Sequence, residues 1–379
     1  MTKDGISFWK AADKAAVKLF LGTQKGKGKR AARGRVIGDQ WEESMKTVFK
    51  RLLASATLVT MSASFAMSEE LSFAHFVPPA HIITSSVVEP LTAALGEASG
   101  GDLSVRVYPG GELGPGPVEQ YARVVQGVAD MAWGLAGYNS QQFPLSMIIE
   151  LPGVVDAAGV GKGYEAMWRV YDQYLTGEFP GTRAVALWTS EPNVLIMKDK
   201  EVRVPDDIKG LKIRVSGAFP AQVIEALGAT PVQMPANEMY NALQTGLIDG
   251  IMTGGSAIHD FKIDEVARTY TTGASLGNIL FYVVMNEARY QGLSDAQKAA
   301  IDKVRGPVIS ASGEAGWNQR ATETMEALRA DPSKVVIDLT AEEAAPFNAL
   351  TTVVTDKVIA DLDGQGLPAS AVRAAMIGK

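Results

Sequence analysis

The fold is decided by residues 207–250, "DIKGLKIRVSGAFPAQVIEALGATPVQMPANEMYNALQTGLIDG". The segment opens with a strand in which apolar side chains alternate with Lys212 and Arg214, the two-residue period of a strand with one buried face. A helix follows and ends at Gly228, and a second helix, with Asn237 as its expected N-cap, closes around Gly246, because glycine readily ends a helix in the left-handed conformation. This alternation of strand and helix is typical of an α/β domain.

The same alternation continues on both sides of this segment. Strands are expected at 71–76, 103–113, 184–190, 193–198 and 278–286, and helices at 80–99, 118–131 and almost all of 294–329. We interpret this order as an α/β protein with two units, a largely parallel sheet, and long terminal helices that brace both units.

The composition is that of a globular protein whose main part is acidic. The 379 residues are 46% hydrophobic and 21% charged, and the chain is long enough for two core-bearing lobes. Cysteine is absent, which excludes disulfides, thiolate nucleophiles and cysteine-ligated zinc. Residues 1–66 carry 13 Lys and Arg against 5 Asp and Glu, whereas the remainder carries 23 against 37. The acidic remainder argues against binding to nucleic acid or to an anionic membrane surface.

Residues 45–66, "MKTVFKRLLASATLVTMSASFA", are typical of a secretory signal peptide. Basic residues precede an apolar stretch, and Ser64, Phe65 and Ala66 form the small-x-small pattern that precedes cleavage. An uncleaved membrane anchor is the alternative, although the stretch is short and rich in Ala, Ser and Thr. We expect cleavage near Ala66, a mature chain that starts near Met67, and a periplasmic location.

Residues 1–44 precede this signal and include the basic stretch "QKGKGKRAARGR". Either these residues are a real extension with a separate role, or the start codon has been placed too far upstream. We favour the second explanation, because a signal peptide belongs at the N-terminus. The protein from the native host is therefore expected to lack residues 1–44.

The sequence contains no recognisable catalytic, metal-binding or phosphate-binding motif. Its three histidines are His75, His81 and His259, and none lies in HExxH spacing or beside a GxSxG turn. Paired carboxylates at 206–207 and 342–343 fall in expected turns or helix starts, where capping explains them. We expect a protein without catalysis or cofactor and assign no metal ligands, although whether a cation assists binding stays open. An exported small hydrolase or isomerase is the alternative.

Arg214 admits two interpretations when it is taken alone. At the end of a strand it faces either solvent or the mouth of a cleft, where its planar fork would hold a carboxylate through two hydrogen bonds. Aromatic residues at or just beyond expected strand ends favour the cleft, because open α/β sheets bind ligands there. They are Phe76, Trp133, Tyr138, Trp188 and Phe219. Core packing would nevertheless explain any single one of them better.

Several stretches resemble the extracytoplasmic solute-binding proteins of tripartite ATP-independent periplasmic (TRAP) transporters, the DctP family. They are "YPGGELG" (108–114), "VVQGVADMAWG" (124–134), "LPGV" (151–154) and, most specifically, the segment 207–250. The resemblance covers essentially all of residues 67–379. It implies a two-lobed binding protein that closes on an organic acid and delivers it to a membrane permease driven by an ion gradient.

The family architecture implies two discontinuous lobes that are joined by hinge strands. One lobe would comprise residues 67–191 and 280–318, and the other would comprise residues 192–279 and 319–379. The binding protein of an ATP-driven (ABC) importer is the alternative within this class, and the "ALQTG" segment argues against it. The implied partners are a small-molecule carboxylate and the permease subunits. We expect a monomer, although the helix at 310–331 would allow the dimerisation seen in rare members.

By resemblance, Arg214 occupies the position of the arginine that grips the substrate carboxylate. Compared with the sialic-acid-binding members, Val194 aligns with a second arginine, and an aromatic that stacks on their ligand aligns near Ala236. Their polar sugar-binding positions align with Phe76, Leu135, Tyr138, Gly217 and Thr253.

These departures argue against sialic acid and against a dicarboxylate as the ligand. We expect a monocarboxylate with a moderately apolar body, such as an aromatic, branched-chain keto or hydroxy acid. The expected substrate-binding residues are Arg214, Phe76, Trp133, Tyr138, Trp188, Asn193, Phe219, Met234, Asn237 and Thr253.

Overall fold

The computed structural model describes residues 68–158 and 162–379. They belong to one unit, Met67–Lys379. The expected signal peptide and the segment before it lie outside the described residues. Among the residues described, no helix combines the length and the apolar character that crossing a bilayer requires.

Two β-sheets form the framework of the described residues. The strands are β1 Glu69–Ala74, β2 Leu103–Tyr108, β3 Met131–Leu135, β4 Thr182–Thr189, β5 Asn193–Met197, β6 Lys212–Val215, β7 Thr230–Gln233, β8 Gly250–Gly254, β9 Thr269–Thr272, β10 Leu280–Asn286 and β11 Val335–Asp338. The first sheet has the order β2-β1-β3-β10-β4, and the second has the order β11-β9-β5-β8-β6-β7. Helices pack on both sheets, which confirms the α/β class.

Both sheets are mixed, but each is largely parallel as predicted, since four of the five strands of the first sheet and five of the six strands of the second share one direction. In the first sheet β10 runs antiparallel to β3 and β4, and in the second sheet β5 runs antiparallel to β8 and β9. The other pairs are parallel. The path of the chain explains why β5 and β10 are reversed. β4 ends at the edge of the first sheet that faces the second sheet, so β5 begins at that boundary and runs away from it. The chain crosses back between β9 and β10, so β10 likewise begins at the boundary and runs away from it into the first sheet.

The helices surround the two sheets. They are α1 Glu89–Ala98, α2 Gln120–Val125, α3 Val154–Ala158, α4 Gly163–Val170, α5 Ala218–Ala226, α6 Met239–Thr245, α7 Ser256–Asp260, α8 Glu287–Gln291, α9 Asp295–Val304, α10 Pro307–Ala330, α11 Ala341–Gly364 and α12 Ala369–Met376. A π-helical segment, Thr84–Val88, leads into α1. Pro90 is the second residue of α1, directly after this segment, and its missing N–H leaves one position of the continuous helix without a hydrogen bond.

The helix α10 contacts both sheets and so braces the molecule as expected. On the first sheet, a Cβ atom at Gly313 would lie 3.0 Å from the ring of Trp188, so the helix backbone packs directly on that indole. On the second sheet, a Cβ atom at Gly255, just beyond β8, would lie 3.7 Å from Cβ of Ala321 in α10. The later helix α11 packs against α5, whereas α12 returns to pack against α4. The boundaries of the lobes stay a prediction.

The segment 207–250 folds as its sequence indicates, apart from one cap. The helices α5 and α6 are followed by Gly228 and Gly246 with φ angles of 84° and 74°, the left-handed conformation expected there. Asn237 does not cap α6. A 3₁₀ turn, Ala236–Glu238, precedes that helix, Glu238 occupies the N-cap position, and the Asn237 side chain is exposed.

Candidate ligand-binding site

A cavity lies between the facing ends of the two sheets. We call it the cleft cavity. It is lined by Phe76, His81, Trp133, Leu135, Ser190, Arg214, Ala236, Thr253, Gly254, Ser256, Ala257, Asp260, Phe261, Ile279, Phe281 and Trp317. Both sheets, their connections and the helix α10 contribute to it, so the site exists only in the complete tertiary fold.

Arg214 brings a buried positive charge to the cleft cavity. It lies on β6, and 1% of its surface is exposed. Its Nε donates to the carbonyl oxygen of Met234 at 3.0 Å, whereas Nη2 is buried without a hydrogen-bond partner among the described residues. Burial lowers the pKa of the guanidinium, and the nearby Tyr138 offsets part of this effect. A buried cation with a free donor is stabilised by an anion that enters the cavity.

Tyr138 stands beside Arg214 and joins the two halves of the site. It follows β3 in a 3₁₀ turn, and its hydroxyl oxygen accepts a hydrogen bond from the backbone N–H of Ala236 at 2.9 Å. Burial raises the pKa of Tyr138, so the phenol stays protonated. Because the hydroxyl oxygen already accepts a hydrogen bond, its own proton is free to be donated to a ligand.

Aromatic rings form the body of the cleft cavity. Phe76 and Trp133 are stacked, with ring centroids 4.9 Å apart and planes inclined by 9°. Phe281 lies 5.8 Å from Trp133 and 5.1 Å from Trp317 by ring centroids. These walls suit a flat apolar group, since offset-stacked and edge-to-face contacts are favourable at such separations.

His81 and Asp260 form a second polar region of the same cavity. His81 Nδ1 accepts from the backbone N–H of Ile83 at 3.1 Å, and His81 Nε2 lies 3.5 Å from Asp260 Oδ2. Burial lowers the pKa of His81 to about 3, so the ring is neutral and carries its proton on Nε2. Asp260 Oδ1 lies 3.3 Å from Nη1 of Arg320 on α10, which balances the charge of the carboxylate.

Direct backbone contact closes the cleft. A Cβ atom at Gly217, just after β6, would lie 2.7 Å from the carbonyl oxygen of Gly137 and 2.8 Å from its Cα. The neighbouring Ser140 hydroxyl accepts from the backbone N–H of Ala218 at 3.2 Å. The two sheets can approach this closely only because neither position 137 nor position 217 carries a side chain.

The structure brings together some of the expected site residues and separates others. Arg214, Phe76, Trp133 and Thr253 line the cleft cavity, and Tyr138 adjoins it. Trp188 is buried against α10, and Phe219, in α5, packs on the core. Met234 contributes its backbone carbonyl to Arg214. Asn193 lines a different cavity, and Asn237 is exposed.

That second cavity, the hinge cavity, lies beside the connections between the sheets. Adjacent residues face different cavities, since Ser190 lines the cleft cavity and Glu191 lines the hinge cavity. Val194 also lines the hinge cavity, so its apolar character says nothing about the charge of the cleft. Arg329, a cation in the hinge cavity, is held by Asp338 through hydrogen bonds of 3.0 and 2.7 Å.

The residues of the cleft cavity that sequence reasoning missed include His81, Asp260, Phe281 and Trp317. No local motif marks them, and Trp317 lies in a long helix where core packing is the ordinary explanation. Asp260 ends the short helix α7 after β8, so its position gave no signal either. Within residues 68–158 and 162–379, no three His, Asp or Glu side chains cluster in a way that would hold a metal ion.

Comparison with protein families assigns the chain. The model of bacterial extracellular solute-binding protein family 7, DctP, matches residues 73–361. The chain belongs to this family. The C4-dicarboxylate-binding periplasmic protein DctP of Rhodobacter capsulatus is 26% identical over 343 residues, which is 86% of this chain and 99% of that protein. A solute-binding protein of Albidiferax ferrireducens is 28% identical over 224 residues, 58% of this chain and 65% of that relative, which is slightly less than two thirds of its length.

Solved structures agree with this assignment. A marine metagenome TRAP solute-binding protein specific for aromatic acid ligands, crystallised with 3-hydroxybenzoate, matches with a TM-score of 0.76 and 26% identity over 82% of this chain and 97% of that chain. A TRAP solute-binding protein from Rhodoferax ferrireducens with copurified benzoate matches with a TM-score of 0.74 and 26% identity over 82% and 96%. The TRAP resemblance and the two-lobed fold predicted from the sequence are therefore confirmed. Members of this family serve transport rather than catalysis.

Proposed function

We propose that this protein is the periplasmic solute-binding component of a TRAP transporter and that it binds a monocarboxylate with an aromatic body in the cleft cavity. The observation that carries this proposal is the buried Arg214 guanidinium, whose Nη2 has no partner among the described residues although it borders an apolar cavity. A carboxylate that enters the cavity supplies the missing acceptor and the missing negative charge.

Arg214 and Tyr138 share the carboxylate. The guanidinium offers Nη2, while the Tyr138 hydroxyl has its proton free because its oxygen already accepts from Ala236. Two donors from the two sides of the cleft fix the position of the acid group. They also stabilise the closed state, because both contact the ligand together only when the lobes meet. Thr253, buried on β8, adds a hydroxyl to the same cavity.

The aromatic walls favour a flat apolar body and oppose a second carboxylate. A ring that packs against the wall formed by Phe76, Trp133 and Phe281 replaces water with aromatic contacts. A dicarboxylate would instead bring its second charge among these rings or toward Asp260, at a cost of several kcal/mol. Among the described residues that line the cavity, Arg214 carries the permanent positive charge, because His81 is neutral.

The relatives support an organic acid and favour an aromatic one. Two solved relatives that are 26% identical hold 3-hydroxybenzoate and benzoate, whereas the Rhodobacter relative is a C4-dicarboxylate-binding protein. The rings of the cleft cavity match the first chemistry better than the second. We extend to this chain the family's partnership with a membrane permease, and we propose a monomer without catalytic activity or cofactor.

A ligand screen with recovery of the bound compound tests this proposal. Purified residues 67–379 are heated with benzoate, phenylacetate, mandelate, succinate and glucuronate in parallel. We expect the aromatic monocarboxylates to raise the melting temperature, because a ligand that binds only the folded state stabilises it. The bound acid is then released and identified, and it should return unchanged. Stabilisation by succinate alone would contradict the proposed ligand, and an altered product would indicate an enzyme.

A further inference from the structure

The cleft cavity has polar groups at both ends of its row of rings. Tyr138, beside Arg214, lies 6.5 Å from Phe76 by ring centroids, Phe76 lies 4.9 Å from Trp133, and Trp133 lies 5.4 Å from His81. His81 contacts Asp260, which lines the cavity with 3% of its side chain exposed. A ligand whose carboxylate meets Arg214 therefore extends its ring along this row toward Asp260.

The Asp260 carboxylate keeps capacity for a further hydrogen bond. Its recorded contacts are with the backbone N–H of Ile82 at 3.4 Å, with His81 Nε2 at 3.5 Å and with Arg320 Nη1 at 3.3 Å. Each is longer than the 2.7–3.0 Å expected for a strong charge-assisted hydrogen bond. A carboxylate offers about four acceptor sites, so these long contacts leave room for a short one.

A donor for the complementary hydrogen bond is also present. Trp133 lines the cavity next to His81, and its Nε1–H is buried without a partner among the described residues. A ligand group that both donates and accepts would satisfy the Asp260 oxygen and the Trp133 N–H together. A hydroxyl does both, whereas a second carboxylate only accepts, and a cationic ammonium would compete with Arg320 for the same carboxylate.

Resting on the function proposed above, we propose that the ligand is an aromatic monocarboxylate that carries a hydroxyl on the ring at the end remote from its carboxylate, and that Asp260 is the residue that selects this hydroxyl. Arg214 then recognises the acid, the stacked rings recognise the aromatic body, and Asp260 distinguishes hydroxylated from unsubstituted rings.

Calorimetric titration with matched ligand pairs tests this proposal. The pairs are benzoate with 3-hydroxybenzoate and with 4-hydroxybenzoate, and phenylacetate with 3-hydroxyphenylacetate. The wild-type protein should bind at least one hydroxylated member about tenfold more tightly than its unsubstituted partner, as expected for a hydrogen bond to a charged group. In Asp260→Ala this preference should fall to about one, and Asp260→Asn, which keeps an acceptor oxygen, should retain part of it.

The ratio of the affinities within a ligand pair distinguishes a lost contact to the ligand hydroxyl from a general weakening of binding. Loss of the Ile82 contact in the Asp260 variants would weaken both members of a pair alike and leave the ratio unchanged. The proposal is overturned if the wild-type protein prefers no hydroxylated isomer, if Asp260→Ala keeps the preference, or if 4-(aminomethyl)benzoate binds best. Tight binding of the unsubstituted acids would then still support the proposed function. Failure of all the acids to bind would contradict both the proposed function and the role of Asp260. The wild-type ratio needs no variant, so a misfolded substitution does not prevent the test.

Discussion

The cleft cavity and the hinge cavity differ in size and in chemistry. Size favours the hinge cavity as the binding site, whereas chemistry favours the cleft cavity. The hinge cavity is the larger of the two. It is lined by Asp156, Glu191 and Glu326, and its arginine, Arg329, is already paired with Asp338. The cleft cavity is small and aromatic, and it contains a buried guanidinium whose Nη2 has no hydrogen-bond partner among the described residues.

This difference teaches that unsatisfied charge identifies the binding site better than volume does. A large polar cavity beside the connections between two sheets is what a hinge requires, because room there lets the connections bend. An unpaired buried cation is instead costly in the absence of a ligand, and a ligand carboxylate removes that cost. The alternation of Ser190 and Glu191 along one connection divides the two environments.

The largest expected effect comes from removing the cation of the cleft cavity. Arg214→Ala should weaken the binding of benzoate by about 2 to 5 kcal/mol, roughly thirtyfold or more, because the ligand carboxylate would be buried without its partner. Arg214→Lys should restore little, since an ammonium cannot reproduce the planar fork. Calorimetry gives both values. Lys212→Ala, an exposed cation on the same strand, serves as the matched control and should bind as the wild type does.

The hinge cavity should respond to pH rather than to ligand. Burial raises the pKa of Glu191 to about 7, so its contribution to stability is fully present below its ordinary value of 4.5 and is lost as the pH rises through 7. Glu191→Gln removes this titration, and its Oε1 can still accept from the backbone N–H of Ser256. We subtract the free energy of unfolding of the wild type from that of the variant. This difference should rise by on the order of 3 kcal/mol between pH 4.5 and 8. Urea titrations at a series of pH values measure it, and a difference independent of pH would refute the expected burial of this carboxylate.

Closure of the cleft should depend on the small size of Gly217. The φ angle of this residue is −175°, so its backbone suits any amino acid, and the constraint is the contact with Gly137 alone. Gly217→Ala places a methyl group 2.7 Å from a backbone oxygen that cannot easily move, which should weaken ligand binding by about 1 to 3 kcal/mol. Gly177→Ala, where nothing lies within 4 Å, is the control. Equal affinities of the two variants would show that the contact at position 217 does not limit binding.

The smallest effect is expected in the hinge cavity. Thr322 lines it from α10 and is exposed, and Thr322→Ala removes only its hydrogen bond to the carbonyl oxygen of Asn318. Ligand affinity should stay within about twofold of the wild type, as is usual for surface substitutions. A calorimetric loss as large as that expected for Arg214→Ala would place the ligand in the hinge cavity and reverse the comparison.

The fold was largely predictable because its signals are local. The strand of Arg214, the helix after it and the glycines at 228 and 246 follow from periodicity and from the conformational freedom of glycine. The direction of β5 and β10 was not predictable in this way. It depends on which edge of a sheet the chain enters, and that is fixed by pairing between residues far apart in sequence.

The site was predictable only in part, for the same reason. Arg214, Phe76 and Trp133 lie on or just after strands, where position alone suggests ligand contact. Asn193 begins a strand too, yet it lines the hinge cavity, and a one-residue change of face is beyond what a sequence pattern resolves. Trp317 and Asp260 reach the cavity from helices whose packing only the tertiary structure reveals.

A crystal structure of residues 67–379 with 3-hydroxybenzoate tests the central claim most directly, because it locates the carboxylate. The predicted result is a single ligand in the cleft cavity, with its carboxylate within hydrogen-bonding distance of Arg214 Nη2 and Tyr138 Oη, and its ring against the aromatic wall that contains Phe76. A ligand found in the hinge cavity, or one in the cleft with its carboxylate turned away from Arg214, would contradict the account.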